Sequence, residues 1–198
     1  MIAILDYGSG NLRSAQRAFE LSGHETLVTS DPEICRSADG LVVPGVGAFG
    51  ACMEQLFAAG GDLIIQERVA TAKPVLGICV GMQILFDSGS EKGGSFGLGI
   101  FSGDVSQIDA PILPHIGWNT VQADPDSTLL RGVEDERFYF VHSFAAKRPV
   151  DAALNSWCNY GENFLAAVER GPVSAVQFHP EKSGAVGARL IANWVGSL

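Results

Sequence analysis

Short apolar runs and amphipathic stretches alternate along residues 1–87 of the chain. The apolar runs have the length of buried strands and end in turn-forming residues, and they cover residues 2–5, 25–29, 40–43 and 74–78. The stretches between them repeat apolar residues at helical spacing, over residues 12–19, 49–59, 63–72 and 80–86. Because strands that alternate with helices form right-handed βαβ units, we predict a parallel sheet covered by helices on both faces.

The second half of the chain has a different pattern of apolar and polar residues, with few helical signals. Residues 88–97 contain four glycines and three serines, a composition that predicts a flexible loop. Strand-like runs follow at residues 105–108, 118–121, 137–141, 164–168 and 173–177, and we expect them to add antiparallel strands to the sheet. The chain ends in a predicted helix whose apolar stripe consists of Gly187, Leu190, Ile191, Trp194 and Leu198.

Neither an internal repeat nor a linker divides the sequence. We therefore predict a single α/β domain over residues 1–198, with a central, mostly parallel sheet flanked by helices and antiparallel strands added in the second half. The chain has 198 residues, of which 46% are apolar, so it can form a substantial hydrophobic core.

Charge narrows the range of partners. The formal net charge is -9, and the basic residues are isolated from one another except for the pair Lys147-Arg148. Since binding to phosphates needs clustered positive charge, we expect no nucleic acid and no membrane surface as a partner.

The four cysteines show neither C-x-x-C spacing nor the density of a disulfide scaffold; they are Cys35, Cys52, Cys79 and Cys158. This pattern argues against a zinc site, and we expect no metal and no cofactor. No apolar run reaches the ~18 residues of a membrane span, and the first residues lack the basic flank of a secretion signal. We therefore expect the protein in the reducing cytoplasm.

One cysteine lies in a distinctive context. Cys79 follows the predicted strand at 74–78, with Gly77 and Gly81 on either side and a predicted helix after it. A strand, G-x-C-x-G and a helix form the pattern of a nucleophile elbow with cysteine in place of serine, where the glycines let strand and helix approach closely. The N–H of Val80 would then be an oxyanion donor. The alternative is an ordinary buried cysteine.

A thiol nucleophile needs a base, and the base needs a group that orients it. Among four histidines, His179 follows the last predicted strand and precedes Pro180, which favours an extended backbone at His179. Glu181, two residues further on, would project to the same side and orient the imidazole. A loop histidine beside a solvated glutamate is the alternative.

Two further positions are candidates for the same chemistry. The glycine-rich segment 44–50 follows the third predicted strand and can turn a backbone amide toward a ligand as a second oxyanion donor, although an ordinary turn is the alternative. Gln83 falls on the first turn of the predicted elbow helix, where it would contact either substrate or solvent. The glycine-rich segment 6–11 lacks the spacing of a dinucleotide or phosphate loop and is interpreted as a turn and helix cap, with partner contact as the alternative.

Residues 77–83 together with 177–183, Gln-Phe-His-Pro-Glu-Lys-Ser, resemble the class I, triad-type glutamine amidotransferases. Four more segments, 6–14, 44–50, 114–119 and 139–144, resemble the glutaminase subunits of imidazole glycerol phosphate synthases, in the same order along the chain. The resemblance implies hydrolysis of L-glutamine to glutamate and ammonia. It also implies a heterodimer with a cyclase subunit, which is a (β/α)8 barrel that uses the ammonia to make imidazole glycerol phosphate and aminoimidazole carboxamide ribotide in histidine biosynthesis.

The resemblance also implies roles for individual positions. Cys79 would be the nucleophile, His179 the base and acid, and Glu181 the orienting group. The oxyanion hole would comprise Val46, Gly47 and Val80, and the family often needs its partner to rearrange the Val46–Gly47 strand. Substrate contacts would come from Gly45, Gly47, Gln83, His142, Ser143 and Phe144. Contacts with the cyclase would come from Asn11, Trp118, Tyr139 and Lys182.

Val80 replaces the leucine common in the family, but only its backbone N–H is used. Two other functions stay open at this point. One is a glutaminase that serves another synthase, for anthranilate, aminodeoxychorismate or pyridoxal phosphate. The other is a non-enzymatic stress-protein relative that uses Cys79 as a redox sensor.

Overall fold

The computed structural model describes residues 1–198, and a seven-stranded sheet lies at its centre. Five neighbouring strands of this sheet are parallel: β13 (Val173–Val176), β4 (Val75–Cys79), β3 (Gly40–Gly45), β1 (Ile2–Leu5) and β2 (Thr26–Thr29). Two antiparallel strands, β12 (Glu162–Arg170) and β11 (Leu154–Tyr160), extend the sheet beyond β13. The predicted mostly parallel sheet with antiparallel additions is confirmed.

Six helices connect and flank these strands. They are α1 (Leu12–Glu20), α2 (Pro32–Ser37), α3 (Phe49–Ala58), α4 (Gly61–Ala70), α5 (Val80–Gln83) and α6 (Gly184–Val195). The predicted positions of α1, α3, α4 and α6 are confirmed, whereas α2 was not predicted. Asp31 caps α2 by accepting hydrogen bonds from the N–H groups of Glu33 and Ile34. None of the helices combines the length and the apolar character needed to cross a bilayer.

The helix predicted at 80–86 is shorter in the structure, because the chain leaves the helical conformation after Gln83 and enters strand β5 (Phe86–Gly89). Phe86 is buried and packs edge-to-face on Phe101, with ring centroids 5.4 Å apart, which fixes this stretch in a sheet. The predicted flexible loop at 88–97 contains the end of β5, a 3₁₀ turn at Glu91–Gly93 and the two-residue strand β6 (Ser95–Phe96). That loop prediction was therefore wrong.

The remaining strands do not join the main sheet. Strands β10 (Phe144–Ala146), β7 (Phe101–Gln107), β5 and β6 form a four-stranded sheet in that order. Strands β8 (His115–Thr120) and β9 (Arg137–His142) pair as an antiparallel ribbon. Of the runs expected to extend the central sheet, only 164–168 in β12 and 173–177 in β13 do so, and β13 runs parallel to its neighbour β4. Strand β11 also joins this sheet, but it was not predicted.

The corner between β4 and α5 depends on three glycines that let backbones approach closely. A Cβ on Gly81 would lie 1.9 Å from the carbonyl oxygen of Val43 on β3, and one on Gly77 would lie 2.7 Å from the carbonyl oxygen of Gly81. A Cβ on Gly45 would lie 2.6 Å from the nitrogen of Gly81. Side chains at these positions would push α5 away from β3 and β4, so the glycines set the position of Cys79 between them.

We predict that Gly81→Ala destabilises the chain by about 3 kcal/mol or more, because the added methyl group has no space beside β3. Gly171→Ala is the control for loss of a glycine without a steric clash. Gly171 has a φ of 57°, and nothing lies within 4 Å of an added Cβ, so only the backbone penalty of ~1 kcal/mol should appear. Equal losses in denaturant unfolding of the two variants would contradict this account of the corner.

Candidate active site

Cys79 occupies the end of β4 in a conformation that non-glycine residues rarely adopt. Its φ is 57° and its ψ is -113°, and α5 begins at the next residue, Val80. Backbone strain of this kind persists only where surrounding packing enforces it, and it is concentrated at functional sites. Cys79 is 3% exposed, but it lines a cavity rather than lying among aliphatic side chains on all sides. The predicted elbow geometry is therefore present at this position.

His179 and Glu181 form a buried pair just after β13. His179 has an extended backbone, with φ -104° and ψ 95°, as the following proline predicts. Its Nδ1 lies 2.7 Å from Oε1 of Glu181, and both side chains are 3% exposed. Glu181 belongs to a 3₁₀ turn, Pro180–Lys182, that brings the carboxylate back toward the ring. The contact was predicted correctly, but this turn produces it rather than an extended strand.

The charge state of His179 depends on its two neighbours. Burial disfavours the imidazolium, but hydrogen bonding to Cys79 and Glu181 outweighs burial and raises the pKa of His179 to about 10. Nε2 of His179, the ring nitrogen that does not face Glu181, is buried and has no partner in standard hydrogen-bond geometry. The raised pKa favours a protonated imidazole at His179.

A cavity of about 310 Å³ opens at the carboxyl ends of the parallel strands, where α/β folds place their ligands. Ten residues of the predicted site or partner contacts line it: Val46, Gly47, Cys79, Val80, Gln83, His142, Ser143, Phe144, His179 and Lys182. Gly45 and Glu181 lie behind this wall, where both line a narrow crevice next to His179. The structure thus brings the predicted residues together, while their individual roles stay predictions.

Both backbone polar groups of Val46 are hydrogen-bonded within the chain, which limits the use of its N–H as an oxyanion donor. The N–H of Val46 donates to Oγ of Ser9 over 3.1 Å, and the Ser9 hydroxyl donates to the Val46 carbonyl over 3.0 Å. Cys52 also donates to that carbonyl. Gly47 has a φ of 93°, a left-handed conformation that suits glycine. The Val46 amide is therefore bonded to Ser9 and is not free to bind a ligand.

Gln83 is held by two acceptors at the cavity wall. Its Nε2 donates to the carbonyl of Phe144 over 2.8 Å and to Oε1 of Gln177 over 3.0 Å. The same Phe144 carbonyl accepts from Nδ1 of His142 over 3.0 Å, so both of its lone pairs are occupied. Any substrate contact from Phe144 must therefore come from another group, whereas Oε1 of Gln83 stays available to accept.

A buried histidine pair supports this wall, and sequence analysis did not find it. Nδ1 of His142 must carry a proton to donate to the Phe144 carbonyl, so Nε2 of His142 accepts, over 3.1 Å, from Nδ1 of His115. Nε2 of His115 in turn lies 3.3 Å from the Asn119 amide nitrogen. Burial lowers the pKa of His115 to about 4 and that of His142 to about 3. Both rings are neutral near pH 7, and both nitrogens of His142 are occupied.

Sequence analysis also missed three polar residues at the site. Ser9 and Gln177 fall inside recognised segments, but nothing in their spacing shows which atoms they contact. Glu91 is the one carboxylate that lines the cavity, and it accepts from the N–H of Phe49 over 3.0 Å at the start of α3. Because residues 88–97 were predicted to be a flexible loop, no signal pointed to Glu91.

Three of the four predicted partner contacts form a row that ends at this cavity. Trp118 is 47% exposed and packs edge-to-face on Tyr139, with ring centroids 6.2 Å apart. Nζ of Lys182, a residue of the cavity wall, lies 5.8 Å from the centre of the Tyr139 ring. The fourth, Asn11, is exposed and lines the narrow crevice beside His179. A surface with exposed aromatic residues is typical of protein interfaces.

Comparisons with known proteins agree with this geometry. Residues 3–196 match the family described as glutamine amidotransferase class-I. The chain therefore belongs to the class I glutamine amidotransferases and, among them, to the HisH subunits of imidazole glycerol phosphate synthase. It is 56% identical to the subunit HisH of Nocardia farcinica, covering 100% of this chain and 98% of that protein, and 54% identical to that of Mycobacterium tuberculosis, with the same coverage.

Solved structures share the fold at low sequence identity. A crystal structure of a glutamine amidotransferase superposes with a TM-score of 0.78 at 18% identity, and covers 98% of each chain. A putative GMP synthase protein from Thermoplasma acidophilum superposes with a TM-score of 0.73 at 21% identity, covering 98% of this chain and 92% of that one. These likenesses confirm the predicted fold class.

We predict that the buried histidine pair makes the chain sensitive to acid. The pKa values of His115 and His142 lie below the ordinary 6.5, so the unfolded chain binds more protons and stability falls as the pH drops below 6.5. His179 has a raised pKa, so below pH 6.5 it is mainly charged in both states and contributes little to this decline.

The measurement is denaturant unfolding at pH 7 and pH 5. His115→Phe keeps the ring stacking on Tyr160, whose centroid is 3.9 Å away, and removes one titrating group. Between pH 7 and pH 5, the unfolding free energy of this variant should fall by roughly half as much as that of the unsubstituted chain. An unchanged decline would show that other groups cause the acid sensitivity.

Proposed function

We propose that this chain hydrolyses L-glutamine at Cys79, with His179 as base and acid and Glu181 as the group that orients His179. The observation that carries the proposal is the strained Cys79 corner opening on the same cavity as the buried His179–Glu181 pair. The family assignment supports the same reaction class.

The proposed reaction proceeds through a thioester. The Cys79 thiolate attacks the side-chain amide carbon of glutamine, and the carbonyl oxygen becomes an oxyanion. His179 gives its proton to the departing nitrogen, so ammonia leaves and a γ-glutamyl thioester remains on Cys79. Neutral His179 then takes a proton from water, which attacks the thioester and releases glutamate. The Cys79 thiolate and the protonated His179 are both restored.

The cavity offers complementary groups for the rest of the substrate. Glu91 can accept hydrogen bonds from the α-ammonium group, since it is the one carboxylate on the wall. Oε1 of Gln83 and the backbone near Ser143 can receive polar hydrogens of the substrate. The N–H of Val80, the first residue of α5, has no acceptor within the helix and is our proposed oxyanion donor.

We also propose a cyclase partner, because the most similar curated relatives are named as subunits of imidazole glycerol phosphate synthase. The cyclase would contact Asn11, Trp118, Tyr139 and Lys182 beside the cavity and receive the ammonia for histidine biosynthesis. The complex would be a heterodimer that works in the cytoplasm, where four unpaired cysteines stay reduced.

The partner is needed for full activity in this account. In the isolated chain the Val46 N–H is bonded to Ser9, so this proposed oxyanion donor is not available to the substrate. Loss of one such donor costs about 10²–10³ in rate. Binding of the cyclase would release this peptide and complete the oxyanion hole.

We predict that Cys79→Ala reduces glutamate formation to background in the presence of the cyclase subunit, because the nucleophile is lost. Cys158→Ala, which changes a buried cysteine away from the cavity, is the matched control and should stay active. Glu181→Gln should lower turnover by about 10²-fold or more, because it removes the charge that stabilises protonated His179.

Glutamate release is the readout, and unfolding curves verify that each variant is folded. Full activity of Glu181→Gln would contradict the orienting role of Glu181. No glutamate formation by the unsubstituted chain with the cyclase subunit would favour the redox-sensor alternative. A pull-down that recovers a different synthase would overturn the partner assignment while leaving the hydrolytic site in place.

We predict that Ser9→Ala raises the glutaminase rate of the isolated chain several-fold. The change frees the amide of Val46, a residue that is partly exposed and can be solvated, so little stability should be lost. The rate in the presence of cyclase and its ligand should change little. An unchanged basal rate in Ser9→Ala would show that this hydrogen bond does not restrain the oxyanion donor.

A further inference from the structure

Gln177 is a buried polar residue that contacts the reactive sulfur. It follows β13 directly, is 1% exposed, and is anchored by its N–H, which donates to the carbonyl of Ala166 over 2.8 Å. Its side-chain Nε2 lies 3.8 Å from Sγ of Cys79, within the range of a hydrogen bond to sulfur. None of the roles assigned above uses this contact.

The orientation of the Gln177 amide follows from its neighbours. The carbonyl of Phe144 can only accept, so the Gln83 atom next to it is the nitrogen Nε2. That nitrogen also faces Gln177, so the Gln177 atom it meets is the acceptor Oε1. The remaining atom of the Gln177 amide is Nε2, and it points at the Cys79 sulfur. A flipped amide would place two donors face to face.

We infer that Gln177 is a further catalytic residue, which stabilises the Cys79 thiolate by donating a hydrogen bond to it. This inference rests on the proposed role of Cys79 as the nucleophile. A neutral amide donor favours the charged form of the thiol without competing for the proton that His179 handles. It also restrains the sulfur at the cavity wall, in the position from which it attacks.

The donor is preorganised by a continuous chain of neutral groups. His115 donates to His142, His142 donates to the Phe144 carbonyl, and Gln83 links that carbonyl to Gln177. Every amide and ring in this chain has a single possible orientation, so the Gln177 nitrogen is fixed before substrate arrives. Preorganised donors of this kind need no reorganisation during the reaction.

The test compares the pH dependence of Cys79 alkylation by iodoacetamide in the full chain, measured on the Cys79 peptide by mass spectrometry. The apparent midpoint of alkylation belongs to the coupled Cys79–His179 pair. Gln177→Met removes the donor and should raise this midpoint by about one pH unit. Gln177→Glu keeps an acceptor for Gln83, has nearly the same shape, and should shift the midpoint in the same direction. Gln55→Met, at an exposed glutamine, should leave the midpoint unchanged.

With the cyclase subunit present, Gln177→Met should also lower kcat/KM for glutamine by about tenfold. Unchanged alkylation midpoints in folded Gln177→Met and Gln177→Glu would overturn the inference. The alkylation assay needs no glutamine turnover, so it separates the two proposals. A shifted midpoint in a chain that hydrolyses no glutamine would support the thiolate contact and overturn the proposed function.

Discussion

The close passage of α5 against β3 and β4 is the constraint on which the site depends. There is no space for a side chain at position 81, beside the Val43 carbonyl, and none at position 77, beside the backbone of Gly81. With the backbones this close, the turn between β4 and α5 is too tight for an ordinary conformation, and Cys79 takes a positive φ. The surrounding core enforces this strain, and as a result the sulfur faces the cavity at the carboxyl ends of the parallel strands.

Short sequence patterns were enough to predict the elements whose conformation depends on neighbouring residues. The strands and most of the helices up to Cys79 follow from apolar runs and periodicity, and the glycines around Cys79 predicted the elbow. The contacts that tune the site could not be predicted in this way. The Ser9–Val46 bond joins residues 37 positions apart and the Gln83–Gln177 bond joins residues 94 apart, so both depend on tertiary packing. The helix after Cys79 was predicted too long because burial of Phe86 against Phe101 outweighs helical periodicity.

Two kinds of hydrogen bonding surround the reactive thiol, and they have opposite consequences. Hydrogen bonds link His115, His142, the Phe144 carbonyl and Gln83 in one network, which fixes the wall of the cavity. The Ser9–Val46 contact instead holds the backbone amide that we propose as an oxyanion donor. Under the proposed function, a rigid nucleophile together with an oxyanion donor held by Ser9 would let a partner control hydrolysis without moving Cys79.

The most direct test of the account is detection of the covalent intermediate. The chain is mixed with glutamine and its cyclase partner, quenched in acid during turnover, and digested for mass spectrometry. The account predicts a γ-glutamyl group on the peptide that contains Cys79 and on no other cysteine peptide. Glutamate release without any adduct on Cys79, or an adduct on a different cysteine, would contradict it.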